Sequence, residues 1–252
     1  MARSLDIGCT VQNYTFRADR LSIQPVSLRE RMRDGESTPV VYFLMGEQQH
    51  FQPLTKEDKI TVVLYRTGIF LSTVLIGTSA FLAVRRSLTA EAGDYPFIIS
   101  GLVANILLLV LYFSVGLSVF FIHLYVGAYH RMLKKIYYVA FACLIALTLI
   151  GKGNPAIVLF RTPPYAALLL IPLSLCLGFV AAKEAFCFRL LEGYILALLM
   201  PAYVFFYSVG ALDAARAAYG LAVIAALQIL FLFRKVFQPI HFDIGDKSAY
   251  QP

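Results

Sequence analysis

The sequence predicts an all-α fold, a polytopic transmembrane bundle of six helices with a short irregular N-terminal arm. Three observations predict it. Six long apolar runs follow residue 55, and 59% of the 252 residues are hydrophobic against 15% charged. Basic residues also collect at the ends of those runs. A soluble chain carries nearer a quarter charged residues, so the excess of apolar side chains points to lipid as the solvent.

The arm, 1–55, reads as a polar cytoplasmic segment that mixes Arg17, Arg20, Arg29, Arg31 and Arg33 with Asp19, Glu30, Asp34 and Glu36. Its early basic residues are not followed by the apolar stretch of a signal peptide, and its acids count against a transit peptide. The pieces PVVYFLMG and QHFQPLT leave two readings open, a short hairpin around Gly46–Gln48 or an unstructured arm.

The membrane domain is expected over 56–236. Thr55, with Asp58 three residues on, has the spacing of a helix N-terminal cap. The first helix then runs from Lys56 to Val84 and stops at Arg85-Arg86. Its apolar part, from Ile60, is long enough for a hydrocarbon layer of about 30 Å. The second run, Pro96 to about Tyr129, exceeds one membrane width and falls short of two spans plus a turn. It reads as one tilted helix, with a bend at Ser114–Gly116.

The third run is Ile136 to Gly151. The loop GKGNPAIVLFRTPP separates it from the fourth, Tyr165 to Ala182. The fifth, Leu190 to Gly210, carries Pro201 as a kink. The sixth, Ala218 to Phe233, closes on Arg234-Lys235 and Pro239, leaving 237–252 as a cytoplasmic tail. Small residues at contact spacing, Gly68-x-x-x-Ser72 and Ser79-x-x-x-Ala83, signal close helix packing.

Six crossings put both termini on one side. Nine basic residues flank the spans there (Lys56, Lys59, Arg131, Lys134, Lys135, Lys183, Arg189, Arg234 and Lys235), against five on the other side. The positive-inside rule makes that side cytoplasmic, in a bacterial inner membrane or a thylakoid-type membrane. The net charge of +7 is thereby used in orientation. Basic residues are not interleaved with aromatics as a nucleic-acid surface would have them, so nucleic acid is excluded as a partner.

The charges of FVAAKEAFCFRLLEGY (Phe179 to Tyr194) gather where helices four and five turn at the membrane surface. Glu184 and Glu192 lie there beside Lys183 and Arg189. Arg66, His123 and Gln228 each lie six residues inside a helix end on the same side, about 9 Å at 1.5 Å per residue. Arg66, His123, Lys183, Glu184, Glu192 and Gln228 are therefore the candidate polar pocket. Intramembrane ionisable groups are costly and face the bundle interior when they have a role. The structural alternative is that Arg66 snorkels to the headgroups while His123 and Gln228 hydrogen-bond between helices.

No catalytic, cofactor or metal constellation is legible. His123 and His130 sit two turns apart, and a site from His130, Glu184 and Glu192 lacks motif spacing. Nothing matches HExxH, a phosphate-cradling glycine loop or GxSxG. Cys9, Cys143, Cys176 and Cys187 form no CxxC pair.

Three stretches together, LTKEDKITVVLYRTGIFLS (Leu54 to Ser72), FVAAKEAFCFRLLEGY and FRKVFQPIHFDIGDKS (Phe233 to Ser248), resemble an uncharacterised family of integral membrane proteins associated mainly with oxygenic photosynthetic bacteria. The resemblance implies a polytopic membrane protein and carries no catalytic role. Arg66, Glu184, Cys187 and 238–247 fall in the matching stretches. Besides the lipid bilayer, the expected partners are subunits of a larger membrane complex, for which the chain would be a non-catalytic accessory or assembly factor. The alternatives are a small transporter or channel built on the polar cluster, and an intramembrane enzyme.

Overall fold

The computed structural model describes residues 55–91, 101–124, 126–159 and 164–244. The arm, with the hairpin expected around Gly46–Gln48, lies outside them. The helices are α1 (Lys56–Glu91), α2 (Gly101–Phe121), α3 (Gly127–Ile150), the short α4 (Pro155–Leu159), α5 (Ile171–Phe188), α6 (Leu191–Ser208), α7 (Ala214–Val236) and α8 (His241–Ile244). A 3-10 stretch, Tyr165–Leu170, leads into α5. Six of these segments are long and apolar enough to cross a membrane: α1, α2, α3, α5 with its lead, α6 and α7. The six-helix bundle expected from the apolar runs is borne out.

The first helix begins as its sequence dictates. Asp58 Oδ2 accepts from Thr55 N at 2.8 Å and from Thr55 Oγ1 at 2.6 Å, and Asp58 N donates to Thr55 Oγ1 at 3.2 Å. This reciprocal cap satisfies backbone donors that the first turn leaves orphaned. Arg85-Arg86 does not end α1, which continues to Glu91. A charge ends the lipid-buried stretch and leaves the backbone hydrogen-bond ladder intact, and Arg86 to Glu91 contain no proline or glycine to interrupt it.

The second apolar run divides differently from its expectation. α2 ends at Phe121, and the chain enters α3 at Gly127 after an extended Val126 (φ −103°, ψ 108°). Tyr129 thus belongs to α3, which also takes in Arg131, Lys134 and Lys135 and begins nine residues before Ile136. The α2 helix passes unbroken through Ser114–Gly116. Gly116 makes room there for Tyr137, whose hydroxyl donates to the Tyr112 carbonyl at 2.9 Å.

Likewise α5 runs on to Phe188, so Lys183 and Glu184 stand inside a helix and the turn is only Arg189-Leu190. Arg189 closes it in the left-handed region (φ 53°). So short a link makes α5 and α6 antiparallel neighbours, as expected. α6 passes through Pro201, which has no N–H for the carbonyl of Ala197. Gly178 of α5 backs onto that carbonyl so closely that a Cβ there would lie 2.9 Å from it. Glycine therefore lets α5 cover the gap that proline leaves in α6.

Around the bundle the helices follow the order α1, α2, α3, α5, α6, α7, with α7 packed back on α1 and α2 touching α5. The seam between α1 and α2 is tight. A Cβ on Gly68 would fall 2.6 Å from Ser114 O and 2.8 Å from Ser118 N, as the small-residue spacing foretold. Inside the ring lie Tyr112, Val115, Leu133, Leu147, Cys176, Leu196 and Phe231. Outside it, Phe81, Phe113, Leu149, Leu198 and Phe233 are more than half exposed. A water-facing surface so apolar would aggregate, whereas lipid covers it without cost.

Candidate functional site

At the end of the bundle where α1 begins and α7 finishes, five charged side chains meet. Neighbouring residues on a helix point about 100° apart, so Tyr65 of α1 turns into the bundle while Arg66 turns toward the end of α7. Glu184, in the last turns of α5, is 0% exposed. Its Oε1 accepts from the Tyr65 hydroxyl and from Lys183 Nζ, both at 2.7 Å, and its Oε2 accepts from Lys235 Nζ. Lys235, in the last turn of α7, also donates to Asp243 Oδ1 and to Gln238 Oε1. Its three protons are thus directed at three acceptors.

Asp243 is carried by α8, which the chain reaches by turning back through Pro239. Its Oδ2 receives Arg66 Nε at 2.7 Å and Arg66 Nη2 at 2.6 Å. Arg66 further donates to the carbonyls of Val236 and Pro239 at 3.3 and 3.4 Å. The ring of Phe188 lies 4.5 Å from Lys235 Nζ, and Tyr65 presents its ring to Lys183 at 5.6 Å. Three cations thus share two carboxylates, a formal excess of one positive charge.

The arrangement differs from the expected pocket in instructive ways. Arg66 reaches neither Glu184 nor Glu192; it takes Asp243 and joins Glu184 only through Lys235. Glu192, at the start of α6, pairs separately with Arg234, Nη1 to Oε2 at 2.9 Å. Gln228 is buried within α7, and its Oε1 has no partner among the described residues. His123 is not six residues deep in a helix, because α2 has already ended. It sits in the connection to α3, and its Nε2 is 3.2 Å from Thr61 Oγ1. Sequence reasoning missed Tyr65, Lys235 and Asp243. Lys235 looked like an end-of-span anchor, and Asp243 looked like tail.

His123 has a consequence that solution measurement can reach. Burial and the positive charge of Lys183 lower its pKa from the usual histidine value, outweighing Asp243 and Asp58, and His130 adds to the lowering. The folded protein therefore binds this proton less readily than the unfolded chain. Stability is full above the ordinary histidine pKa of about 6.5, falls as pH drops below it, and levels off below the depressed folded value. Thermal denaturation in detergent across that range should show the loss, and His123→Gln should reduce it.

Among the described residues no three His, Cys, Asp or Glu side chains gather to hold a metal ion. The far end of the bundle is tied neutrally: Asn105 of α2 donates to Asn154 Oδ1 at 3.0 Å and accepts from Ala156 N at 2.9 Å, fixing the start of α4. Among the described residues the buried charged side chains, Glu184, Glu192, Lys235 and Asp243, lie at the terminal end.

Residues 117–251, more than half of the chain, match the sequence profile of a family described as uncharacterized integral membrane protein (DUF2301). The chain belongs to this family. The DUF2301 match takes in Lys183, Glu184, Lys235 and Asp243 and begins after Tyr65 and Arg66. A relative from Haemophilus influenzae, also described as uncharacterized, is 26% identical over 208 residues, covering 82% of this chain and 99% of the relative. No solved structure matches the chain. Family and helices agree that this is an integral membrane protein.

Proposed function

We propose that this DUF2301 member is a non-catalytic accessory protein of a membrane assembly, holding its C-terminal segment in a fixed place for a partner subunit. The observation that carries this reading is the use of the ion network. Buried ion pairs contribute little net stability, and their best-attested role is to specify one arrangement over others. Here Lys235 and Arg66 both grip Asp243, so the arrangement specified is the seat of α8 against the bundle. The charge bias of the flanks supports a cytoplasmic location for that end, in a bacterial inner membrane or a thylakoid-type one.

The test is purification of the full-length protein from its native membrane in mild detergent, beside an Asp243→Asn variant. Stoichiometric recovery of the same membrane subunits with the parent, and their loss from the variant while its six helices stay folded, is the expected result. A lone monomer at every salt concentration contradicts the reading.

A second reading, a small transporter or channel for protons or a small anion, has its own observation. Tyr112 OH, Glu192 Oε1 and Gln228 Oε1 are buried polar atoms without partners among the described residues, and such atoms mark places where water or cargo would bind. Proton and chloride flux in liposomes that is indifferent to Glu184→Gln and Gln228→Leu disposes of it.

A further inference from the structure

A groove of about 310 Å³ runs along the outside of the bundle beside the ion network, between α1 and the end of α7. Its walls are Val62, Val63, Arg66, Thr67 and Phe70 from α1 and Val236 and Ile240 from the other side. Val63 and Phe70 are each 53% exposed, so the groove opens toward the acyl chains of the bilayer. We propose that it binds one anionic phospholipid, an acyl chain lying in the groove and the headgroup phosphate held by Lys56 and Lys59.

The argument is one of charge and register. At about 100° per residue, Lys56, Lys59, Val63 and Phe70 form a single stripe on α1. The stripe passes from the polar end of the helix into its apolar part, and both lysines are exposed. Neither forms an ion pair among the described residues. The acids nearby, Glu57 and Asp58, lie more than 100° from the stripe's centre by the same spacing, and Asp58 is engaged in the cap. Arg66, in the wall of the groove, belongs to a network with one excess positive charge. A phosphate above and a hydrocarbon chain below therefore meet complementary surfaces in the order a phospholipid presents them. A basic residue near an anionic membrane surface contributes about 1 kcal/mol.

The test uses the full-length protein, delipidated in a neutral detergent. Phosphatidylglycerol, phosphatidylcholine and inorganic phosphate are titrated against thermal unfolding, and retained lipid is read by native mass spectrometry. Phosphatidylglycerol should raise the melting temperature and remain bound as a single copy, while the other two do neither. Lys56→Gln with Lys59→Gln should weaken it about thirtyfold, from two interfacial lysines. Thr67→Phe, an exposed position that the larger ring would fill, should abolish single-copy retention without lowering the melting temperature of the lipid-free protein. Equal effects of phosphatidylcholine, an equal effect of phosphate alone, or binding unchanged in both variants would overturn the proposal.

Discussion

Glu184→Ala should lower the stability of the bundle by about 3–5 kcal/mol, the cost of leaving buried charge without its partner. The variant strips Lys183 of its carboxylate, removes one of the two that Lys235 holds, and leaves the Tyr65 hydroxyl without its acceptor. Arg66 and Lys235 then share Asp243, and Lys183 has no paired carboxylate. The informative companion is Lys235→Met. It divides the network into Lys183 with Glu184 and Arg66 with Asp243, two neutral pairs, and methionine fills the space beside Phe188. Its expected cost is about 1 kcal/mol, within the range for exchanging a buried charge for a hydrophobe of similar volume. Thermal or denaturant unfolding of both variants in one detergent would show the contrast, and comparable losses would mean the net charge of the cluster is not what matters.

Gly68→Val should be the most damaging single change in the apolar part of the bundle. The added atoms have no room: the Ser118 hydroxyl could turn aside, but the next neighbours are backbone atoms of α2 at Ser114 and Ser118, which cannot rotate away. The α1–α2 seam must open, and overpacking of this sort costs about 1–3 kcal/mol or more. Gly77 of the same helix provides the control. Nothing lies within 4 Å of a Cβ there, and Gly77→Ala should be neutral or stabilising by up to about 1 kcal/mol through helix propensity. Unfolding measurements on the pair separate the close approach of two helices from the general effect of glycine.

What the sequence disclosed follows from which physical signals are local. The hydrophobic period and length of each span are local, so six helices were legible. The Thr55–Asp58 cap and the Gly68 seam were legible for the same reason. Helix ends were less so, because the charges of Arg85-Arg86, Lys134-Lys135 and Lys183-Glu184 bound the apolar runs without ending the helices. These residues are good helix formers, and they lengthened α1, α3 and α5 beyond the apolar runs. The gathering of polar groups at one end was also legible, since depth can be counted along each helix.

Pairing was not legible. Whether Arg66 takes Glu184 or Asp243 depends on how α1 is rotated against α7 and on the turn at Pro239, which brings a residue of the apparent tail back under the bundle. Asp243 carried no hydrophobic pattern to announce its burial. The interior role of Tyr65 was hidden by its position at the membrane end, where tyrosines usually anchor at the interface.

The account rests on Glu184, Lys235 and Asp243 acting as one network that seats the C-terminal segment. A double-mutant cycle between Glu184→Ala and Lys235→Met, followed by thermal unfolding in detergent, tests that most directly. The account predicts that Lys235→Met recovers part of the stability lost in Glu184→Ala, a coupling of about 2 kcal/mol. Strictly additive losses would contradict it.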